Sequence, residues 1–166
     1  GKALELDPDD AEAYRLRAAY YSDKSEYQLA IGDYNRSIEL DPDDADAYDE
    51  RGAVYFMQGE YQLALGDYGK AIELNPYLAT AYGNRGSLYY LQGEFQLALQ
   101  DLNKAIQIDP DYSNAYAERG SMYFMEGELQ QALHELLFVA LDAEPPLLEH
   151  VLELGRLHLL DRNRVQ

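Results

Sequence analysis

ELDPDDADAY, residues 39–48, decides the fold, because the chain writes nearly the same phrase three more times. It stands as ELDPDDAEAY at 5–14, as ELNPYLATAY at 73–82 and as QIDPDYSNAY at 107–116. Each step is 34 residues, and a fixed step of that size is the mark of a repeat architecture. Pro8, Pro42, Pro76 and Pro110 keep it, and so do Ala30, Ala64, Ala98 and Ala132. A second phrase, Arg-Gly with a Tyr three residues beyond the Gly, occurs at 51–55, 85–89 and 119–123. Arg17, Ala18 and Tyr21 make a weaker first copy.

Outward from these columns, the apolar residues fall at helical separations. Ala81, Tyr82, Leu88, Tyr89 and Leu91, then Phe95, Leu97, Ala98, Leu102, Ala105, Ile106 and Ile108, are spaced mostly by three, four and seven. That spacing predicts amphipathic helices. Gln92, Gly93 and Glu94 interrupt the run, and the Gly permits a tight turn. Asp10 and Asp44 stand just before first helices, where a carboxylate oxygen caps free N–H groups. Asp-Pro or Asn-Pro closes each second helix, since the residue before Pro is biased out of the α region. Each unit therefore reads as helix, short turn, helix and Pro-containing link.

With these columns in hand, the chain resembles the tetratricopeptide repeat family. In the third unit the matching residues are Tyr82, Gly86, Tyr89, Ala98, Leu102, Ala105 and Pro110. Leu102 replaces the usual aromatic, which Tyr34 and Tyr68 keep. The resemblance implies an all-α fold, a right-handed α-solenoid of stacked antiparallel helix pairs, in a single array over 1–166. The expected division is 1–10 as the end of a preceding repeat, then repeats at 11–44, 45–78, 79–112 and 113–146. Residues 147–166 are expected to form a degenerate fifth repeat or a capping helix, with Gly155 one residue late. On this reading the segment is an excerpt of a longer protein. The small residues Gly52, Gly86 and Gly120 on first helices, facing Ala64, Ala98 and Ala132, are expected to let paired helices approach closely. A bulkier side chain there should cost about 1–3 kcal/mol. The tyrosine columns, Tyr48 and Tyr55 among them, are expected in the core.

One charge pattern runs through all four units. Arg17, Arg51, Arg85 and Arg119 are each followed sixteen residues later by an acid: Asp33, Asp67, Asp101 and Glu135. Folding each hairpin about its turn brings the two positions opposite each other. An Arg–carboxylate bridge between the two helices of every unit is the expectation.

The whole-chain charge narrows the partners. With 31 acidic and 13 basic residues the formal charge is −18, which repels nucleic-acid phosphates and anionic membrane surfaces. It favours cationic protein partners. There is no cysteine, hence no disulfide or thiolate chemistry. That fits a cytoplasmic location without establishing it. His150 and His158 lie eight apart, too far for the four-residue metal pair, and no Ser/His/Asp order or phosphate-cradling glycine loop stands out. Neither catalysis nor a metal or other cofactor is expected.

In the family resembled, the first helices line a concave groove that receives peptides. Carried over, the groove residues are Arg15, Asp49, Phe56, Met57, Tyr90, Leu91, Phe124 and Met125. Family members that grip the acidic tails of heat-shock chaperones do so with Lys, Arg and Asn on these helices. Here one such column reads Arg15, Asp49, Gly83, Ala117 and the next Ala19, Ala53, Ser87, Ser121, so that clamp is missing. The expected function is a protein-interaction scaffold for a basic or apolar–basic peptide or helix. Self-association into an oligomer and service as a regulatory arm of a larger protein remain open alternatives.

Overall fold

The computed structural model describes residues 4, 7–125 and 127–141. Eight helices are bounded among them, with no strand: α1 Ala11–Asp23, α2 Tyr27–Leu40, α3 Ala45–Met57, α4 Tyr61–Leu74, α5 Ala79–Leu91, α6 Phe95–Ile108, α7 Ser113–Met125 and α8 Leu129–Leu141. The all-α expectation holds, and the helices begin and end where the repeat columns place them. The fifth unit or cap expected at 147–166, with Gly155, His150 and His158, lies outside the described residues, as does half of the remnant expected at 1–10.

Local chemistry sets each boundary. Asp10 accepts a hydrogen bond from the Ala13 N–H and Asp44 from the Asp46 and Ala47 N–H groups, so both act as N-caps. The first helices end in a left-handed residue: Ser25 at φ 58°, then Gly59, Gly93 and Gly127 at 78°, 80° and 82°. In the second unit the Glu60 N–H donates to the Tyr55 carbonyl and the Gly59 N–H to that of Phe56, both at 2.9 Å. This is a Schellman closure, which satisfies the orphan carbonyls of the helix end. Ser25 carries a Cβ where the other three units have Gly. Ser25→Gly is therefore expected to stabilise the first hairpin by about 0.5–1 kcal/mol, the left-handed penalty less the extra chain entropy of Gly. A thermal melt with an unchanged or lower midpoint would contradict this.

The Pro-containing links share a second device. Asp7, Asp41, Asn75 and Asp109, each directly before a Pro, accept from the N–H two residues on at 3.0–3.2 Å. These are Asx turns, and they explain why only Asp or Asn occupies that column.

The chain divides into two compact units, Gly1–Asp101 and Leu102–Gln166. In the first, α1 packs on α2 and α3 on α4 as antiparallel hairpins, and each second helix packs on the first helix that follows it. Ala18, Ala30, Tyr34 and Val54 form one buried cluster, and Ala64, Tyr68 and Leu88 the next. Each cluster thus joins a hairpin to its successor, because a lone hairpin cannot bury its own apolar stripe. A Cβ built on Gly52 would lie 2.8 Å from the Tyr68 ring, which confirms why that column is small. In the second unit α7 and α8 pair in the same way, and a Cβ on Gly120 would meet Glu135 Cβ at 3.0 Å.

Candidate protein-interaction surface

All four expected ion pairs are present. Arg17 reaches Asp33 at 2.6 and 2.7 Å, Arg51 reaches Asp67 at 2.8 and 2.7 Å, and Arg85 reaches Asp101 at 2.7 and 2.9 Å. Each is a two-point grip through Nε and Nη2, the geometry in which a guanidinium binds a carboxylate most strongly. The fourth differs. Arg119 holds both oxygens of Glu135 through Nη2 alone, at 2.8 Å each, and its buried Nε has no partner. Glu is one methylene longer than Asp, and the side-on grip does not fit it.

The same arginines correct the reading of the tyrosines. Tyr48 and Tyr55 are half-buried rather than fully in the core, Tyr55 packing against the Ala64, Tyr68 and Leu88 cluster, and the Arg51 guanidinium lies 5.4 and 5.8 Å from their ring centroids. Tyr82 and Tyr89 flank Arg85 likewise, at 5.8 and 5.9 Å. The rings sit three residues before and four after the Arg, so they share its helix face. Cation–π attraction then supplements the ion pair. Arg51 Nη1 also donates to Asn35, and Arg119 Nη1 to Asn103, tying each Arg to the second helix of the preceding hairpin.

Within residues 1–101, α1 touches α3 and α3 touches α5, whereas α2 and α4 do not touch. This unit therefore bends with its first helices on the inner side. Two of the residues expected to face a ligand there are occupied. Arg15 pairs with Glu50 at 2.8 Å and with Asp44 at 3.3 Å. Burial pulls its guanidinium down, but Glu50, Asp44 and Asp46 together leave it raised. Burial likewise pushes the Glu50 carboxyl up against the opposing pull of Arg15. Asp49 is only 6% exposed and accepts from Thr80 Oγ1 at 2.8 Å and Asn84 Nδ2 at 2.9 Å. Burial raises its pKa more than those two bonds lower it. Asp49 thus fastens α3 to α5 instead of standing open in a groove, and Thr80 and Asn84 are partners the sequence did not reveal. No column signals them, since the position of Asp49 holds Arg, Gly and Ala in the other units.

The six apolar residues divide. Met57, Leu91, Phe124 and Met125 are 62%, 55%, 59% and 65% exposed. Phe56 and Tyr90 are half-buried, each with its ring against the first aromatic of the following helix: Tyr61 at 5.8 Å and Phe95 at 5.9 Å. Phe56 also packs on the Tyr68 cluster. The four exposed members of this set therefore lie where their first helices run into the turns. Among the described residues, no group of three or more His, Cys, Asp or Glu could hold a metal, and no helix is long and apolar enough to cross a membrane. An open depression of about 750 Å³ beside Tyr123, Glu128, His134 and Leu137 gathers no such cluster.

Fold and surface together define a helical-hairpin repeat protein whose recurring charges serve its own joints. The tetratricopeptide repeat pattern matches residues 79–112, 1–32 and 102–134, and a TPR repeat pattern matches 20–59 and 52–93. The chain belongs to the tetratricopeptide repeat family. No curated protein matches it by sequence. Among solved structures it is similar to "Crystal structure of MamA", at 28% identity and TM-score 0.71, over 95% of this chain and 85% of that one. It is also similar to "Crystal structure of MamA protein", at 30% identity and TM-score 0.70, over 83% of this chain and 75% of that one. A likeness in fold alone extends to "First TPR of Spaghetti (RPAP3) bound to HSP90 peptide SRMEEVD", at 23% identity and TM-score 0.63, over 65% of this chain and 86% of that one.

Proposed function

We propose that the chain is a protein-interaction scaffold that binds a peptide or helix of a partner through its first-helix layer, the partner segment being apolar and basic. The observation that carries this reading is the set of exposed apolar side chains Met57, Leu91, Phe124 and Met125 on a chain of net charge −18. Adaptable Met and aromatic side chains suit protein contacts, and the surrounding field attracts cations. A fold neighbour was solved with a peptide bound, one carrying two glutamates and an aspartate. An acidic ligand of that kind does not suit this chain: Arg15, the one cation in the two columns that would form such a clamp, is already engaged by Glu50 and Asp44, and the Arg17, Arg51, Arg85 and Arg119 column is paired within its own hairpins.

Selection from a random peptide display library tests the proposal. Recovered sequences are expected to be rich in Lys or Arg and in aliphatic residues. Their affinity should fall as salt is raised from about 50 mM to about 500 mM, since added ions screen surface charge. Recovery of acidic sequences, or of none above background, would refute it.

A further inference from the structure

We propose that the hairpin-turn edge of the second and third repeats is a docking site for a cationic amphipathic helix of a partner protein; this rests on, and sharpens, the scaffold reading. Met57 and Tyr61 flank one three-residue turn, and Leu91 and Phe95 flank the next. α3 and α5 are the first helices of successive hairpins and touch, so both turns lie at the C-terminal end of the first helices on one edge of the unit. Tyr61 and Phe95 are 37% and 40% exposed, and with Met57 and Leu91 they place four large apolar side chains on that edge. Single exposed apolar residues are ordinary, but a gathered set marks a contact surface. Set among them, Glu60 and Glu94 are exposed and form no ion pair among the described residues.

Three features select the occupant. A second copy of this chain would bring Glu60 and Glu94 against their own kind on a molecule of charge −18, so the partner is cationic. An extended strand would need main-chain donors on the edge, and those of the turns are spent internally: Gly59 on Phe56, Glu60 on Tyr55, Gly93 on Tyr90 and Glu94 on Tyr89. A helix brings its own hydrogen bonds and needs none. Its spacing also fits. Touching helices lie about 8–10 Å apart, so a separation of about that size is expected between the equivalent Met57 and Leu91 positions. Apolar residues seven apart on a helix are separated by about 10.5 Å. Lys or Arg between them would then meet the two glutamates.

The test uses a fluorescein-labelled peptide of about 18 residues, long enough for five helical turns, with leucines on one face and lysines on the other. One control peptide scrambles the order at the same composition, and another replaces Lys with Glu. Fluorescence anisotropy follows binding to the full chain, to the edge variant Met57→Ser/Leu91→Ser, and to Ala53→Arg, which adds a repelling charge to the inner first-helix face. The amphipathic peptide is expected to bind and become helical by circular dichroism. The edge variant and both control peptides should each weaken binding about tenfold or more, while Ala53→Arg changes it by less than about twofold. Equal binding of the scrambled peptide, a bound peptide that stays unstructured, or loss through Ala53→Arg alone would overturn the edge site. In that last case, or if library-selected peptides bind and the amphipathic one does not, the scaffold reading stands without the edge. A wild-type dimer in sedimentation that the edge variant dissolves would give the surface to a second copy and overturn the proposal as well.

Discussion

Arg51→Ala is expected to destabilise the second hairpin by about 3–5 kcal/mol, the cost of stranding a buried charge. Asp67 is buried and loses both bonds that compensate its carboxylate, at 2.8 and 2.7 Å. The Tyr48 and Tyr55 rings lose the cation between them, and Asn35 loses its donor. Asp67→Ala should be damaging for the mirror reason. The double variant should cost clearly less than the sum of the two, because the members of one network do not act independently. A packed apolar pair such as Arg51→Met with Asp67→Leu should come close to neutral, since a buried ion pair adds little over hydrophobic residues of similar volume. Repeat proteins open locally, so hydrogen exchange of the α3 and α4 amides is the sharper measurement, with urea unfolding beside it. Strict additivity, or an Arg51→Ala protein with wild-type protection, would show that the pair is idle.

Tyr68→Ala is the second large effect, again about 3–5 kcal/mol, as for other aromatic-to-Ala truncations in a core. The ring is buried in the cluster that joins the second hairpin to Leu88 of the third, so its loss opens a cavity at a joint as well as within a hairpin. The same ring explains Gly52, on which a Cβ would come within 2.8 Å of it. Gly52→Ala alone should cost about 1–3 kcal/mol through overpacking. In a Tyr68→Ala background that penalty should shrink, because the ring atoms at 2.8 and 2.9 Å are gone and only Asp67 Cβ, at 3.2 Å, still crowds the added methyl. A Gly52→Ala cost that is unchanged in the double variant would mean Asp67, not the ring, sets the limit. Repeat 1 already carries Ala18 in this column beside Tyr34, which indicates that a methyl is tolerated where the hairpin is built around it.

These two sites were legible in the sequence because their signals recur. Arg and acid keep a sixteen-residue offset in four copies, and Gly or Ala keeps its column, although the sequence set Gly52 against Ala64 and the structure sets it against Tyr68. Repetition turns a contact into a column. The depth of Tyr48 and Tyr55 was overestimated although the signal was present: positions three before and four after an Arg share its helix face, and a cation between two rings leaves each of them partly open. Asp49 was beyond reach for the opposite reason. Its partners Thr80 and Asn84 occur in one pair of units, so no periodicity exposes them. The candidate surface was half legible. Met57 and Leu91, expected to line a groove, are exposed, whereas the depth of Phe56 depends on Tyr61 and the Tyr68 cluster, contacts set by packing rather than by spacing.

The left-handed turn residues and the Asx–Pro links carry a consequence for how such a chain changes length. Every bend is closed by bonds among residues a few positions apart, so its stereochemistry does not depend on which hairpin comes next. A 34-residue cassette can then be duplicated or excised without inventing a new joint. Evolution is free to adjust the reach of the array by whole modules, while a fractional insertion would throw every later column out of phase.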